Sequence, residues 1–246
     1  MNFKVDTKMT KLNNMPTDEL ESTYEKNKRI GIILIIVGLL TCCFGVGVIL
    51  IFIGIGYIHS SNAYKREMES RRPLEDYIIF DLETTGLNPN SDKIIEVGAI
   101  KIVGGEVADT FSSFINPMKN ISKRATAING ITNEMVQDAP IETDIIPEFG
   151  RFLVGYALVA YNINFDLGFL NAALQRCGMQ LNPGGTIDAL KVSKQYFHNI
   201  ENYKLGTVVK AIDPDYEQTH RALDDCYAIK KILDHTGVAY SFLQQF

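Results

Sequence analysis

The sequence has few cysteines and no excess of positive charge. Its four cysteines include no C-x-x-C pair, so the sequence predicts neither a zinc site nor a disulfide framework. Its 24 basic and 29 acidic residues give a formal net charge of −5, which argues against a protein that holds a long polyanion in a basic groove. The 246 residues allow one ordinary domain with an appendage, or two small domains.

The charge is divided unevenly between two regions. Residues 1–74 hold 10 basic and 7 acidic residues, a net charge of +3. Residues 75–246 hold 14 basic and 22 acidic residues, a net charge of −8. The sequence has no internal repeat and no low-complexity tract. The asymmetry predicts two regions with different partners.

A run of 29 residues without a charged side chain, at 30–58, dominates the first region. It exceeds the roughly 18 to 20 apolar residues that cross a hydrocarbon core as a helix, which predicts a single transmembrane helix. A cleavable signal peptide is disfavoured because a long polar segment precedes the run and no small-x-small cleavage site follows it. A helical hairpin is disfavoured because two arms of about 14 residues would each be too short to span.

The same run predicts membrane lipid as a partner and a single-pass membrane localisation. Four basic residues lie in 11–29 and four in 59–77, so the positive-inside rule leaves the orientation open. The sevenfold spacing of Gly31, Gly38 and Gly45 would permit close helix approach and self-association. The plainer interpretation is that glycine is common in membrane helices.

These features divide the chain into five predicted segments. They are a polar N-terminal segment (1–29), a transmembrane helix (30–58), a basic juxtamembrane linker (59–74), a globular domain (75–237) and a C-terminal tail (238–246). Any chemistry is expected in the globular domain, because the N-terminal segment carries no pattern that indicates a site.

Short apolar runs alternate with helical patterns in the globular domain. We predict strands at 77–80, 93–103, 111–116, 157–161 and 185–188, with a hairpin turn at Gly104-Gly105. We predict helices at 143–153, at 165–177 and after residues 189, 204 and 219. An early antiparallel sheet followed by strand–helix alternation predicts a mixed α/β fold with helices flanking the sheet.

Acidic residues stand out by their positions on two of these elements. Asp81 and Glu83 end the first strand, and their i, i+2 spacing turns both carboxylates to one face. Two anions held together repel unless a cation lies between them, although a polar strand end is the plainer alternative. Asp166 follows a strand and opens the next helix, where a helix N-terminal acid is also common.

The last predicted helix carries a fourth acid. Asp225 lies on the inward side, with an apolar stripe that begins at Ala222, and a buried carboxylate needs a partner. Its neighbour Asp224 falls on the outward side, where we predict a local pair with Arg221. His220 lies five residues before Asp225, about 140° away on a continuous helix, so it must come from the loop or first turn to reach the same site.

Three motifs in this region together resemble a known family. DLETTG at 81–86, YNINFD at 161–166 and HRALDD at 220–225 are similar, in order and in spacing, to the three motifs of the DEDDh 3′-to-5′ exonucleases (DnaQ-like). This is the superfamily of the proofreading epsilon subunit of bacterial DNA polymerase III. Each motif alone is weak, whereas three in register are highly specific. The resemblance covers about residues 75–237.

A connecting stretch supports the resemblance and two residues depart from it. INGITNEMVQDAP at 128–140 is also similar to the family's sequence. Tyr161 and Asn129 occupy positions at which histidine is frequent in the family, so contacts to the terminal nucleotide are expected to differ. The resemblance implies a ribonuclease H-like fold.

The resemblance also implies the catalytic set and the cofactors. It makes Asp81, Glu83, Asp166 and Asp225 the four metal-binding acids and His220 the general base. The implied cofactors are two divalent metal ions, Mg²⁺ or Mn²⁺, which suit hard oxygen ligands. One ion would activate water and the other would stabilise the leaving 3′ oxygen, with Asp81 bridging both.

The implied substrate is a single-stranded or frayed 3′ end of DNA or RNA, and the implied product is a nucleoside 5′-monophosphate. The candidates to contact the terminal nucleotide are Thr84, Thr85, Gly86, Leu87, Asn162 and Phe165. Phe165 is equally compatible with the core. No signature in the sequence separates DNA from RNA as the substrate, because the 2′-hydroxyl contact has none.

Two alternatives concern the anchored domain. We expect it on the cytoplasmic side, where Mg²⁺ and internal nucleic acid are available, whereas extracellular nucleotide scavenging would require the opposite topology. A catalytically inactive, membrane-tethered nucleic-acid-binding or adaptor module is the alternative function. It is disfavoured because a retired site has no reason to keep five mutually repelling or buried polar groups.

Overall fold

The structure is a computed structural model, and it describes residues 15–40, 46–70, 74–237 and 242. The chain divides after residue 72 into two units. The described part of the first unit consists of two helices, α1 (Thr17–Leu40) and α2 (Val46–Ser70). The second unit contains a five-stranded sheet and its flanking helices.

The two helices of the first unit pack directly against each other through glycine. A Cβ added at Gly31 would lie 2.8 Å from the carbonyl oxygen of Gly54, and one at Gly54 would lie 2.7 Å from the carbonyl oxygen of Gly31. The absence of side chains therefore lets the two backbones meet at this point. Ile33 and Phe52 remain 58% and 69% exposed, so the contact covers only part of each helix.

This helix pair shows that the predicted transmembrane helix was wrong. The uncharged run does not form one helix, because α1 ends at Leu40 and α2 begins at Val46. Each helix is apolar along only about half of its length, since α1 starts in the polar segment and α2 runs on into the basic one. Among the described residues, no helix is both long and apolar enough to cross a membrane. This finding contradicts the predicted single-pass membrane localisation with a cytoplasmic domain.

The predicted lipid contact and self-association rested on the same single helix. Gly31 packs against Gly54 of its own chain, so the small-residue surface predicted to meet a second copy is used internally. Gly45 lies outside the described residues. Neither membrane lipid nor self-association is therefore supported by the structure.

The second unit is built on a mixed sheet with the strand order β3-β2-β1-β4-β5. The strands are β1 (Tyr77–Thr84), β2 (Ile94–Val103), β3 (Glu106–Phe114), β4 (Ala157–Ala160) and β5 (Thr186–Asp188). β1, β2 and β3 pair antiparallel, with Gly104-Gly105 at the β2–β3 turn, whereas β4 and β5 join parallel to β1. Each predicted strand overlaps an observed one, but β1 continues past its predicted end to Thr84, and β3 begins at Glu106 and ends at Phe114 rather than spanning 111–116.

Helices lie on both faces of this sheet. They are α3 (Lys123–Asn129), α4 (Asn133–Val136), α5 (Glu142–Leu153), α6 (Ile163–Arg176), α7 (Ala189–Tyr196), α8 (Leu205–Lys210) and α9 (Ala222–Thr236). Alternate residues of β1 point to opposite faces. Ile78 and Phe80 pack with α5 and α6, whereas Tyr77 and Ile79 pack with α7, α8 and α9. The predicted mixed α/β fold with flanking helices is confirmed.

The strand register decides which side chains α9 covers. Asp81 pairs with Gly98 of β2 and Glu83 pairs with Glu96, and all four residues share the α9 face with Tyr77 and Ile79. At Gly98 a Cβ would collide with the backbone of the first turn of α9, at Ala222 and Leu223. The missing side chain therefore lets the start of α9 lie directly on the strand pair, beside Asp81.

Candidate active site

Three carboxylates from β1 and α9 converge on this face. Asp81, Glu83 and Asp225 each offer a carboxylate oxygen, and these oxygens lie within 4.8 Å of one another. β1 supplies two of them because residues two apart along a strand point the same way. α9 supplies the third from its buried stripe, where Asp225 is 5% exposed. The group could hold a metal ion.

Asp166 approaches from the other side of the sheet. It lies in the first turn of α6, which packs on the face opposite α9, and it is 3% exposed. Burial and the charges of Asp81 and Glu83 raise its pKa well above the ordinary range, whereas its own backbone N–H and that of Leu82 lower it. Asp166 is therefore within electrostatic reach of Asp81 and Glu83, although it is not part of the close oxygen group that these two acids form with Asp225.

The acids are destabilised in their ionised forms. Burial, followed by the charges of Asp225 and Glu96, raises the pKa of Asp81 well above its ordinary range. Burial and then Asp81 raise the pKa of Glu83 to about 9. Burial also raises the pKa of Asp225. Such a set needs either protons or cations, and its oxygen-only chemistry fits hard divalent cations.

The loop before α9 carries His220 and holds Asp225. The side-chain amide of Gln218 donates to the two carboxylate oxygens of Asp225 at 3.2 and 3.0 Å, and the Thr219 hydroxyl donates to Asp224 at 2.7 Å. His220 is exposed, lies in this loop rather than on the helix, and has a positive φ of 53°. Its charged form lowers the pKa of Asp225, so its imidazole lies within electrostatic reach of that acid.

Arg221 does not have the partner that the sequence predicted. Its guanidinium pairs with Glu96 on β2, with an Nη2–Oε1 distance of 2.8 Å, and Asp224 takes the hydroxyl of Thr219 instead. The predicted local pair between Arg221 and Asp224 was wrong because a buried carboxylate opposite Glu83 competes for the guanidinium. Glu96 is 1% exposed and was not singled out by its sequence position.

A cavity of about 320 Å³ opens beside these acids. Its walls are Leu82, Glu83, Thr84, Thr85, Gly86, Leu87, Ser122, Arg124, Ala125, Ile128, Asn129 and Phe165. Five of the six predicted nucleotide contacts are therefore among its walls. The sixth, Asn162, precedes α6 with a φ of 64°, and its backbone N–H donates to Asp188 at 3.1 Å. Asn162 is not among the residues that line the cavity.

The position of Phe165 is compatible with both of the roles that the sequence left open. Its ring lines the cavity, and it also packs against Phe169 of the core with ring centroids 5.1 Å apart. The contact with Phe169 holds the ring of Phe165 in place, while part of the Phe165 side chain stays accessible to a ligand. A half-buried ring of this kind suits stacking on a base.

The far wall of the cavity comes from α3, whose contribution the sequence did not specify. Asn129 is buried, and its side-chain amide donates to the carbonyl oxygen of Thr84 at 3.3 Å, which ties α3 to the end of β1. Ile128 is 61% exposed at the rim, and Arg124 is exposed beside it. The similarity of the stretch from Ile128 onward to the exonuclease family was the only signal for this wall.

Comparison with known proteins agrees with the geometry. A model of the family described as Exonuclease (RNase_T) matches residues 78–233, more than half of the chain. The chain belongs to this exonuclease family. The matched segment of the exonuclease domain contains all four acids and His220.

Curated relatives of the exonuclease domain are bacterial DNA polymerases. DNA polymerase III PolC-type from Caldanaerobacter subterraneus subsp. tengcongensis is 38% identical over 165 residues, which are 67% of this chain and 12% of that protein. The same protein from Bacillus subtilis is 38% identical over 173 residues, 70% of this chain and 12% of that protein. The chain spans about an eighth of the length of these relatives.

Solved structures share the fold of the domain. Exonuclease X in complex with 5′ overhanging duplex DNA has a TM-score of 0.52 and 28% identity, and the match covers 68% of this chain and 97% of that one. E. coli exonuclease I with a dT13 oligonucleotide has a TM-score of 0.58 at 17% identity, covering 66% and 41%, and shows the fold alone. The expected ribonuclease H-like exonuclease fold is confirmed, and so is the prediction of a nuclease of the hydrolase class.

Proposed function

We propose that residues 75–237 form a DEDDh-type 3′-to-5′ exonuclease that releases nucleoside 5′-monophosphates from the 3′ end of a nucleic acid. The observation that supports this most strongly is the convergence of Asp81, Glu83 and Asp225 within 4.8 Å. Burial raises the pKa of all three, and the charges of neighbouring acids in the group raise the pKa of Asp81 and Glu83 further. An uncompensated cluster of this kind costs stability, so it is typical of a site that holds cations.

The proposed cofactors are two divalent cations, Mg²⁺ or Mn²⁺. Carboxylate oxygens are the ligands that these hard ions prefer. Asp81, Glu83, Asp166 and Asp225 would hold them, with Asp166 completing the set from the α6 side. When bound, such ions activate the attacking water and stabilise the charge on the leaving 3′ oxygen.

The chain's own residues supply proton transfer. His220 takes the proton of the attacking water on a ring nitrogen, which requires an imidazole that reaches the water. Its place in an exposed loop next to Asp225 allows this, whereas a position within α9 would turn it away. General-base catalysis of this kind contributes about 10² to 10⁴ in rate.

The cavity beside the acids is the proposed site for the terminal nucleotide. The segment from Thr84 to Leu87 supplies backbone groups, and Phe165 supplies a ring for stacking. Arg124 on the opposite wall has no ion-pair partner within 4.0 Å among the described residues and is placed to contact a phosphate. Asn162 retains a proposed role only at the edge of this site.

The proposed substrates are single-stranded or frayed 3′ ends of DNA or RNA. The related exonuclease X was solved with overhanging duplex DNA, and exonuclease I with a single-stranded oligonucleotide, which supports an accessible strand end. A cavity of about 320 Å³ is at the small end of the range for ligand sites and suits one nucleotide rather than a duplex.

The test is Mg²⁺-dependent release of mononucleotides by the full chain from oligonucleotides labelled at the 3′-terminal nucleotide, with single-stranded and overhanging DNA and RNA compared. Asp225→Asn and His220→Ala are each expected to lower kcat at least about 100-fold. Asp234→Asn, on the exposed side of the same helix, is the matched control and should keep full activity. Circular dichroism checks that each variant is folded.

One result would reject the assignment. If Asp225→Asn and His220→Ala both degraded every oligonucleotide as fast as the parent chain, these residues could not be the metal ligand and general base. Release of dinucleotides or of nucleoside 3′-monophosphates would instead reject the proposed cleavage position.

A further inference from the structure

The loop that carries His220 needs an external support. His220 is exposed, so packing does not fix its imidazole, and its φ of 53° is a left-handed conformation that a residue with a side chain rarely adopts. The position of the ring is therefore set by the backbone on either side of it. On one side, Gln218 and Thr219 are hydrogen-bonded to Asp225 and Asp224.

The other side is held by an ion pair that spans the fold. Arg221 donates to Glu96 from Nε at 3.0 and 3.2 Å and from Nη2 at 2.8 Å. The guanidinium also lies over the ring of Phe114 on β3, with its central carbon 4.7 Å from the ring centroid. This forked, charge-assisted pair fixes the residue that follows His220 in both distance and orientation.

Glu96 also caps the helix that carries Asp225. Arg221 is the N-cap residue of α9, and its side chain makes no capping hydrogen bond. Instead, the backbone N–H of Ala222 donates to the second carboxylate oxygen of Glu96 at 3.2 Å. One buried carboxylate therefore holds both the loop and the first turn of α9.

These contacts separate Glu96 from the other acids of the site. Glu96 lies directly across the strand pair from Glu83, so its position alone would suit a fifth metal ligand. Both of its oxygens are already occupied by donors from Arg221 and Ala222. The guanidinium of Arg221 therefore balances the charge of Glu96, and the proposed metal ligands are the neighbouring acids Asp81, Glu83 and Asp225.

We propose that Glu96 and Arg221 form a positioning clamp that sets the geometry of His220 against the metal-binding acids. The proposal rests on the proposed exonuclease function and assigns neither residue a direct contact with substrate. Arg221→Lys keeps the positive charge but removes the forked hydrogen bonds to Glu96, so the clamp is weakened while the metal-binding acids are unchanged. Glu96→Gln keeps the shape but removes the charge.

The test compares these variants in the full chain by steady-state kinetics with a single-stranded oligonucleotide. Arg221→Lys and Glu96→Gln are each expected to lower kcat about 10- to 100-fold, with KM changed less than about threefold. Arg176→Lys is the matched control, since Arg176 makes an equally short paired contact to Glu142 on α5 and should keep kcat within about twofold.

A double-mutant cycle distinguishes positioning from general loss of structure. If Arg221 acts through His220, then Arg221→Lys should have no further effect on kcat in the His220→Ala background. A full additional loss in that background, or an Arg221→Lys variant as active as the parent, would overturn the clamp while leaving the exonuclease assignment intact. A parent chain without nuclease activity would overturn both.

Discussion

Replacing one metal-site acid by its neutral isostere should stabilise the metal-free protein. Burial and the charge of Asp81 raise the pKa of Glu83 from 4.5 to about 9, so the folded site favours the protonated form at neutral pH. Glu83→Gln has nearly the shape of that protonated form. The substitution should therefore leave the fold almost unchanged and remove the favourable ionisation of the unfolded chain.

The magnitude follows from the two pKa values. A raised pKa in the folded state means that the stability contribution of Glu83 is complete below pH 4.5 and is lost as the pH rises toward about 9. The loss is about 1.4 kcal/mol for each pH unit. At about pH 7.5, three units above the ordinary value, Glu83→Gln should raise the free energy of unfolding by up to about 4 kcal/mol.

The assay must report on the sheet alone, because the chain has two units. Amide hydrogen exchange of peptides from β1, measured in urea with a chelator present, gives the free energy of opening for that region. Glu148→Gln, at an exposed position on α5, is the control and should change this free energy by less than about 0.5 kcal/mol.

Excess Mg²⁺ should narrow the difference in stability between the two proteins. A metal ion at 100 times its Kd stabilises the protein that binds it by about 2.7 kcal/mol, and only the parent chain keeps the full ligand set. A stabilisation below about 1 kcal/mol at pH 7.5 without metal would refute the raised pKa of Glu83 as the cause. The same dependence of stability on pH in both proteins would refute it as well.

Two further substitutions test how the site is built. Gly98→Ala would force the first turn of α9 away from β2 and carry Asp225 with it, so we expect a loss of about 1 to 3 kcal/mol in stability and weaker Mg²⁺ binding by calorimetry. Gly168→Ala, where an added Cβ meets only ordinary contacts, should change neither. Arg124→Gln should raise KM for an oligonucleotide about three- to tenfold at unchanged kcat and weaken the salt dependence of binding. The control is Arg151→Gln, at an exposed position, which should change neither KM nor the salt dependence. A KM for Arg124→Gln equal to that of the parent chain would remove Arg124 from the site.

Periodicity in the sequence was enough to place most of the acids. Asp81 and Glu83 alternate with buried residues of β1, and the two-residue period of a strand turns them to one face wherever the strand ends. The inward position of Asp225 follows in the same way from the apolar stripe of α9. These inferences need only local geometry, and local geometry is what a sequence carries most directly.

Contacts between distant parts of the chain could not be predicted in this way. Arg221 and Glu96 are 125 positions apart, and nothing in either local pattern connects them. A local partner for Arg221 was the reasonable expectation, since Asp224 is three residues away on the same helix. The pairing of β1 with β2 decides otherwise, because it places a buried carboxylate beside the start of α9.

The transmembrane helix predicted from the uncharged run at 30–58 was wrong for a related reason. Its length was measured as if the run were one helix, whereas the structure divides it between α1 and α2. The contact between Gly31 and Gly54 is a tertiary feature, and glycine alone is equally compatible with a membrane helix or a tight pair of helices. Composition identified the segment correctly as apolar but did not determine its path.

The distribution of charge explains how an acidic domain can act on a polyanion. Residues 75–246 carry a net charge of −8, and four of those negative charges belong to the proposed metal ligands. Two divalent cations would offset these four and place positive charge where the scissile phosphate must lie. Outside the metal site, Arg124 is the one basic residue among the described walls of the cavity. Processive binding along the nucleic-acid backbone would require a long basic groove. A surface with a single basic residue beside the metal site instead favours brief contact with a strand end.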